Sequence, residues 1–130
     1  MIRAILAFIV GLAVWVLAAS LLNRGLRLAL GGYAAAEPEM SFTHEMMAAR
    51  LALGAVASLA AGVVTRAVAP SSTRVSWALS AFLLAVFIPV HVRLWPKFPV
   101  WYHLVFLVSL APLLILGAAL TRRRSHIGTT

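Results

Sequence analysis

Four stretches of the chain run for about twenty residues each with almost no charge: residues 2 to 22, 46 to 68, 75 to 94 and 100 to 120. A helix rises 1.5 Å per residue, so roughly 20 apolar residues cross a hydrocarbon layer of about 30 Å. Each stretch therefore predicts a transmembrane helix. The first carries no charge after Arg3 and the second has Arg50 near its start and Arg66 near its end; the third has His91 and Arg93 near its end, and the fourth is uncharged apart from any proton on His103. Residues 23 to 45 form the longest and most polar connection, an outer loop in which Gly31-Gly32 should break any helix. Leu26, Leu28 and Leu30 suggest that part of it lies on the membrane surface. Ala69-Pro70-Ser71-Ser72 and Trp95-Pro96-Lys97-Phe98-Pro99 are tight turns, because proline cannot continue a helix and serine favours turn or cap geometry. Short turns join antiparallel neighbours, so the second, third and fourth helices are expected to pack as consecutive hairpins. The expected fold is all-α: a single four-helix transmembrane domain over residues 1 to 130, arranged as an antiparallel up-down bundle.

Composition removes the soluble alternative. The 130 residues are 63% hydrophobic and 11% charged, with a mean hydropathy of +1.01. A soluble domain of this size has too much surface to be coated by so few polar residues. A net charge of +8 would suggest nucleic acid in a soluble chain, but the 11 basic residues sit at the edges of apolar runs and are not interleaved with aromatics on a soluble face. They read as contacts to lipid head groups and as a topology signal, with no nucleic-acid partner. Arg3 and Ala18-Ala19-Ser20 loosely fit a cleaved leader, but the apolar run is longer than a leader's, so a retained helix is expected.

Orientation rests mainly on the Arg122-Arg123-Arg124 stop after the fourth helix. Six basic residues fall on the side of both termini and five on the other, which alone decides little, while Glu37, Glu39 and Glu45 all fall on the loop side. Both termini are expected in the cytoplasm. No internal repeat is visible, which argues against a transporter built from two related halves.

Helices in lipid associate by close approach and interhelical hydrogen bonds. Gly54, Ser58 and Gly62 recur every four residues and mark a packing seam on the second helix, with Ala7 and Gly11 forming a similar notch on the first. The seam suits either a neighbouring helix of the same chain or a second copy. Pro89 and Pro112 lie inside the third and fourth helices and should kink them.

Few side chains offer chemistry. An ionisable residue within a span is a functional candidate by default, which directs attention to Arg50; it lies close enough to the helix start to extend to the outer interface, with Glu45 as a loose partner. The chain has no Asp, and no Glu in the central part of a helix, which disfavours proton-driven pumps and cation carriers. His44, Glu45, His91 and His103 all fall towards the outer face and form a candidate metal-ligand set of ordinary zinc types. Alternatively, Trp95, Trp101 and Tyr102 form an aromatic belt anchoring the chain where lipid meets water, and the histidines merely accompany them. Trp77 fits an inner belt, Trp15 is a packing residue deep in the first helix, and His126 lies on the basic tail without a partner. The chain has no cysteine, and Gly-rich phosphate loops, nucleophile elbows and the HExxH motif are all missing. No catalytic residue and no cofactor is assigned.

The run Phe98-Pro99-Val100-Trp101-Tyr102-His103-Leu104, followed by Pro112 and Leu116-Gly117, resembles small four-span bacterial inner-membrane proteins of uncharacterised activity. The likeness extends from Asn23-Arg24-Gly25 through Gly117 and implies a bacterial cytoplasmic membrane, with no functional residues to carry over. The expected role is a non-enzymatic structural or accessory subunit, packing with itself or with a larger membrane protein in the lipid bilayer. A small oligomeric transporter or channel is the alternative, and a metal-binding protein or enzyme built on the four outer residues is the third reading.

Overall fold

The computed structural model describes residues 2 to 128, with side chains through residue 121. The basic side chains of Arg122, Arg123 and Arg124, and His126, lie outside the described side chains. All regular structure among the described residues is helical: five α-helices, α1 (Ile2–Ala29), α2 (Tyr33–Ala36), α3 (His44–Val68), α4 (Arg74–Arg93) and α5 (Val100–Gly128), and two short 3-10 helices, Glu37–Glu39 and Trp95–Lys97. Four of them, all but α2, are long and apolar enough to cross a membrane.

Helix ends follow local chemistry. The first helix runs seven residues past the apolar stretch, to Ala29, because Asn23, Arg24 and Arg27 are polar yet compatible with a helix. It stops before Gly31-Gly32, where Gly32 adopts φ 84°, a left-handed conformation that favours glycine. Thr43 caps α3 by accepting a hydrogen bond from the Met46 amide at 3.3 Å. Pro70 follows the end of α3, and Pro96 and Pro99 bracket the start of α5.

The four long helices share one core. Trp15 of α1, Ala57 and Ala61 of α3, Leu79 and Leu83 of α4, and Leu110 and Leu114 of α5 are buried together. The broadest helix contact joins α3 to α5, followed by α1 to α3, whereas α3 and α4 touch only slightly although a short turn connects them. Of the consecutive pairs expected to pack together, α4 and α5 are in contact over a substantial face, whereas α3 and α4 are not. The reason lies in α3, whose small side chains admit α1 on one side and α5 on the other. A Cβ on Gly62 would collide with the Leu114 carbonyl, and one on Gly54 would come 2.8 Å from the Phe106 ring. Gly117 on α5 answers with an equally close approach to the Leu59 backbone. Ser58 sits between, donating to the Gly54 carbonyl at 2.8 Å and accepting from the Trp15 indole at 3.1 Å. The seam of Gly54, Ser58 and Gly62 thus faces α1 and α5 of the same chain.

Large apolar residues elsewhere point outwards, as lipid-facing surface requires: Leu17 and Leu21 of α1 and Val108 of α5 are each at least 60% exposed. Residues 30 to 43 fold over one end of the four helices. Tyr33 and Phe42 from this segment are buried with Met47, Phe98 and Tyr102, forming a small second core that we call the cap.

Candidate functional site

Beneath the cap, the side chains form a continuous hydrogen-bonded line across four elements. Arg50 of α3 donates from Nε to the Tyr102 hydroxyl at 3.1 Å and from Nη1 to the Tyr33 hydroxyl at 2.8 Å. Tyr33 in turn donates to Asn23 Oδ1 at 2.5 Å, and the Asn23 amide reaches Glu37 at 3.5 Å. Glu37 is held by Arg27, whose Nε donates to Oε1 at 2.6 Å while its Nη2 pairs with Oε2. The hydrogen bonds from Arg27 hold the Glu37 carboxyl below the usual carboxylate range, against the opposing effect of desolvation. The Arg50 guanidinium also lies 4.7 Å above the Phe42 ring, a cation-π contact. Phe42 continues a stack from Tyr33 at 5.0 Å, through Phe98 at 6.0 Å, to Tyr102 at 4.4 Å from Phe98.

This arrangement corrects two expectations. Arg50 does not extend outwards to Glu45, which is exposed at the start of α3; it turns inwards to two phenols that lower the cost of keeping a guanidinium within a span. Tyr102 is 4% exposed, so it is an interior hydrogen-bonding residue and not an interfacial anchor. Trp95 and Trp101 are exposed, and Trp77 is exposed near the other end of the helices, in keeping with contact to lipid.

The four residues of the candidate metal set separate into two groups. His91 and His103 meet with their Nδ1 atoms 2.6 Å apart, and both rings are buried. One Nδ1 donates and the other accepts, so at least one ring is neutral. His103 stacks on Trp95 at 4.7 Å with the planes 10° apart, and its Nε2 has no hydrogen-bond partner. His44 is exposed and stands edge-on to Trp101 at 6.2 Å, and Glu45 is exposed as well. Among the described residues, no group of three or more His, Cys, Asp or Glu side chains is placed to hold a metal ion together.

A cavity of about 310 Å³ opens beside the hydrogen-bonded line. Arg50, Tyr102, Asn23, Glu37 and His91 contribute its polar wall, and Trp15, Leu53, Phe87 and Phe106 its apolar wall. A guanidinium offers five N–H donors, of which the two phenols take two, leaving three. The Tyr102 hydroxyl accepts from Arg50 and keeps its own proton for another acceptor. The site can therefore donate several hydrogen bonds to a guest while the opposite wall holds an apolar body.

Of these residues, Arg50, His91, His103 and Tyr102 stood out in the sequence, whereas Asn23, Arg27, Tyr33, Glu37 and Phe42 did not. One signal was available for two of them. Asn23 and Arg27 are four residues apart, so a helix continued past residue 22 places both on the same face. The contribution of Tyr33 and Phe42 depends on how the loop folds back, which local pattern does not encode. Comparison of the chain with protein-family models, with curated proteins and with solved structures finds no match.

Proposed function

We propose that this protein is a small accessory protein of the bacterial inner membrane that holds a lipid-soluble guest beneath its cap. The four spans run up and down antiparallel, with both termini in the cytoplasm and the cap outside. The short turns after α3 and α4 and the triple arginine after residue 121 support that topology. The observation that carries the functional reading is the cavity of about 310 Å³, lined by Arg50 and Tyr102, which keep donors to spare, together with aromatic and aliphatic residues. That volume lies at the lower end of the range for small-molecule sites, and the mixture of a few polar groups with an apolar lining is their usual character. Arg27 takes up the Glu37 charge, and the head that fits the spare donors accepts hydrogen bonds, a carbonyl for example, with an apolar tail towards Phe87 and Phe106. No catalytic residue is assigned.

The reading is tested by extracting the protein in mild detergent and analysing what comes with it. Organic extraction of wild-type protein is expected to release one lipid-soluble compound in near-stoichiometric amount. Ala19→Phe, which fills the cavity without touching the hydrogen-bonded line, is expected to release little of it. Wild-type protein that carries no such compound, or a filled variant that carries as much, would refute the proposal.

A further inference from the structure

A second arginine is buried at the end of the molecule away from the cap. Arg66, in the last turn of α3, is 7% exposed, and Ser76, in the first turn of α4, is 2% exposed. The Arg66 Nε and the Ser76 Oγ are both buried without a hydrogen-bond partner among the described residues, and both residues line a single cavity of about 170 Å³. Thr73, which immediately precedes α4, Trp77 of α4, and Ile115, Ala118 and Ala119 of α5 complete its wall.

The start of α4 adds further donors. The Thr73 side chain makes no capping bond, and the first backbone bond at this end runs from the Trp77 amide to the Thr73 carbonyl. The amides of residues 74 to 76 therefore lack intrahelical acceptors, and the positive end of the helix dipole accompanies them. Such a helix start favours anions, and here a buried guanidinium and a buried hydroxyl join it. The position of Arg66 in the last turn of α3 brings it near that helix's carbonyl end, but this leaves its Nε and the Ser76 hydroxyl unpaired.

No acidic side chain of the chain can neutralise Arg66. Its three acids are Glu37, Glu39 and Glu45, and the nearest in sequence is separated from Arg66 by 21 residues of α3, about 32 Å at 1.5 Å per residue. The described residues place no negative charge at this end of the molecule. A guest suited to the cavity would accept several hydrogen bonds at once, at the depth of a helix end beside Trp77, which is 60% exposed.

We infer that Arg66, Ser76 and the N-terminus of α4 form a binding site for a phosphate group that carries no cation of its own, as in an anionic phospholipid head group or free phosphate. Arginine matches phosphate geometry through paired N–H donors, and basic pockets between membrane helices are suited to anionic lipid heads. The site is separate from the cavity under the cap and does not depend on that proposal.

Native mass spectrometry of the delipidated full chain tests the inference, with titration by phosphatidylglycerol, phosphatidylcholine and inorganic phosphate. Wild-type protein is expected to bind phosphatidylglycerol on the order of tenfold more tightly than phosphatidylcholine, and Arg66→Gln to lose that preference. Arg24→Gln, at an exposed arginine of α1 near the cap, is expected to change it less than about twofold. Saturable binding of inorganic phosphate, lost in Arg66→Gln and without a lipid preference, would identify free phosphate as the source and uphold the site. Circular dichroism checks the fold of each variant. If Arg66→Gln does not fold, Ser76→Ala decides, with a several-fold loss of phosphate or phosphatidylglycerol affinity expected. Wild-type protein with neither a lipid preference nor phosphate binding would overturn the inference, as would unchanged affinities in folded variants.

Discussion

Arg50 and Arg66 lie on the same helix, 16 residues apart, and the protein treats them in opposite ways. Around Arg50 the chain supplies two phenols and an aromatic face, and these are tied through Asn23 to the Arg27–Glu37 pair. Around Arg66 it supplies close-packed helices and leaves polar atoms open. The difference follows from where the cap lies. Residues 30 to 43 fold over one end and bring Tyr33, Glu37 and Phe42, whereas the Pro70 turn at the other end is too short to bring anything. Arg50 is fastened to two phenols of its own chain and keeps only its remaining donors for the cavity, whereas the Arg66 Nε has no partner among the described residues.

Four substitutions probe that contrast, and the largest effect is expected next to Arg66. Gly62→Leu places a side chain where α3 meets the Leu114 carbonyl, so the two helices have to part; a loss of at least about 3 kcal/mol is expected in reversible unfolding from detergent. A fully stable Gly62→Leu protein would show that α3 and α5 do not touch there. Arg50→Leu strips the Tyr33 and Tyr102 hydroxyls of their shared donor, and about 2 to 4 kcal/mol should be lost in the same assay. Arg66→Leu should act with the opposite sign. In phosphate-free detergent it removes a buried cation that has no partner, so stability should be unchanged or higher by about 1 to 2 kcal/mol, an advantage that added phosphatidylglycerol should erase. Equal destabilisation by Arg50→Leu and Arg66→Leu would abolish the distinction between the two ends.

Glu37→Gln gives the smallest change, under about 1 kcal/mol, because its pair with Arg27 is partly open to solvent. The pair also has a pH signature. The folded carboxyl is held below its ordinary value, so its contribution is present above the ordinary carboxylate range and fades as pH falls towards the folded value. Acid titration of wild-type protein against Glu37→Gln should show the two stabilities converging at low pH.

Much of the architecture was legible in the pattern of residues. Long uncharged stretches, proline-bearing turns and the Gly54-Ser58-Gly62 spacing predicted four spanning helices and a close seam, because lipid imposes a length and a polarity that one chain can display locally. The polarity change at residue 22 marked where a helix leaves lipid, not where it ends, and α1 runs on to Ala29. That difference hid the alignment of Asn23 with Arg27.

What the sequence determined by itself was the number of spans and the confinement of all acids to the segment from Glu37 to Glu45, properties of order along the chain. Tertiary structure alone decided that Arg50 faces two phenols, that His91 meets His103 without His44, and that Arg66 shares a cavity with Ser76. Each of these pairings joins residues on different elements. Their meeting depends on how closely α1 and α5 approach α3 and on the fold of residues 30 to 43 over the helix ends, and neither distance is written in any single stretch of chain.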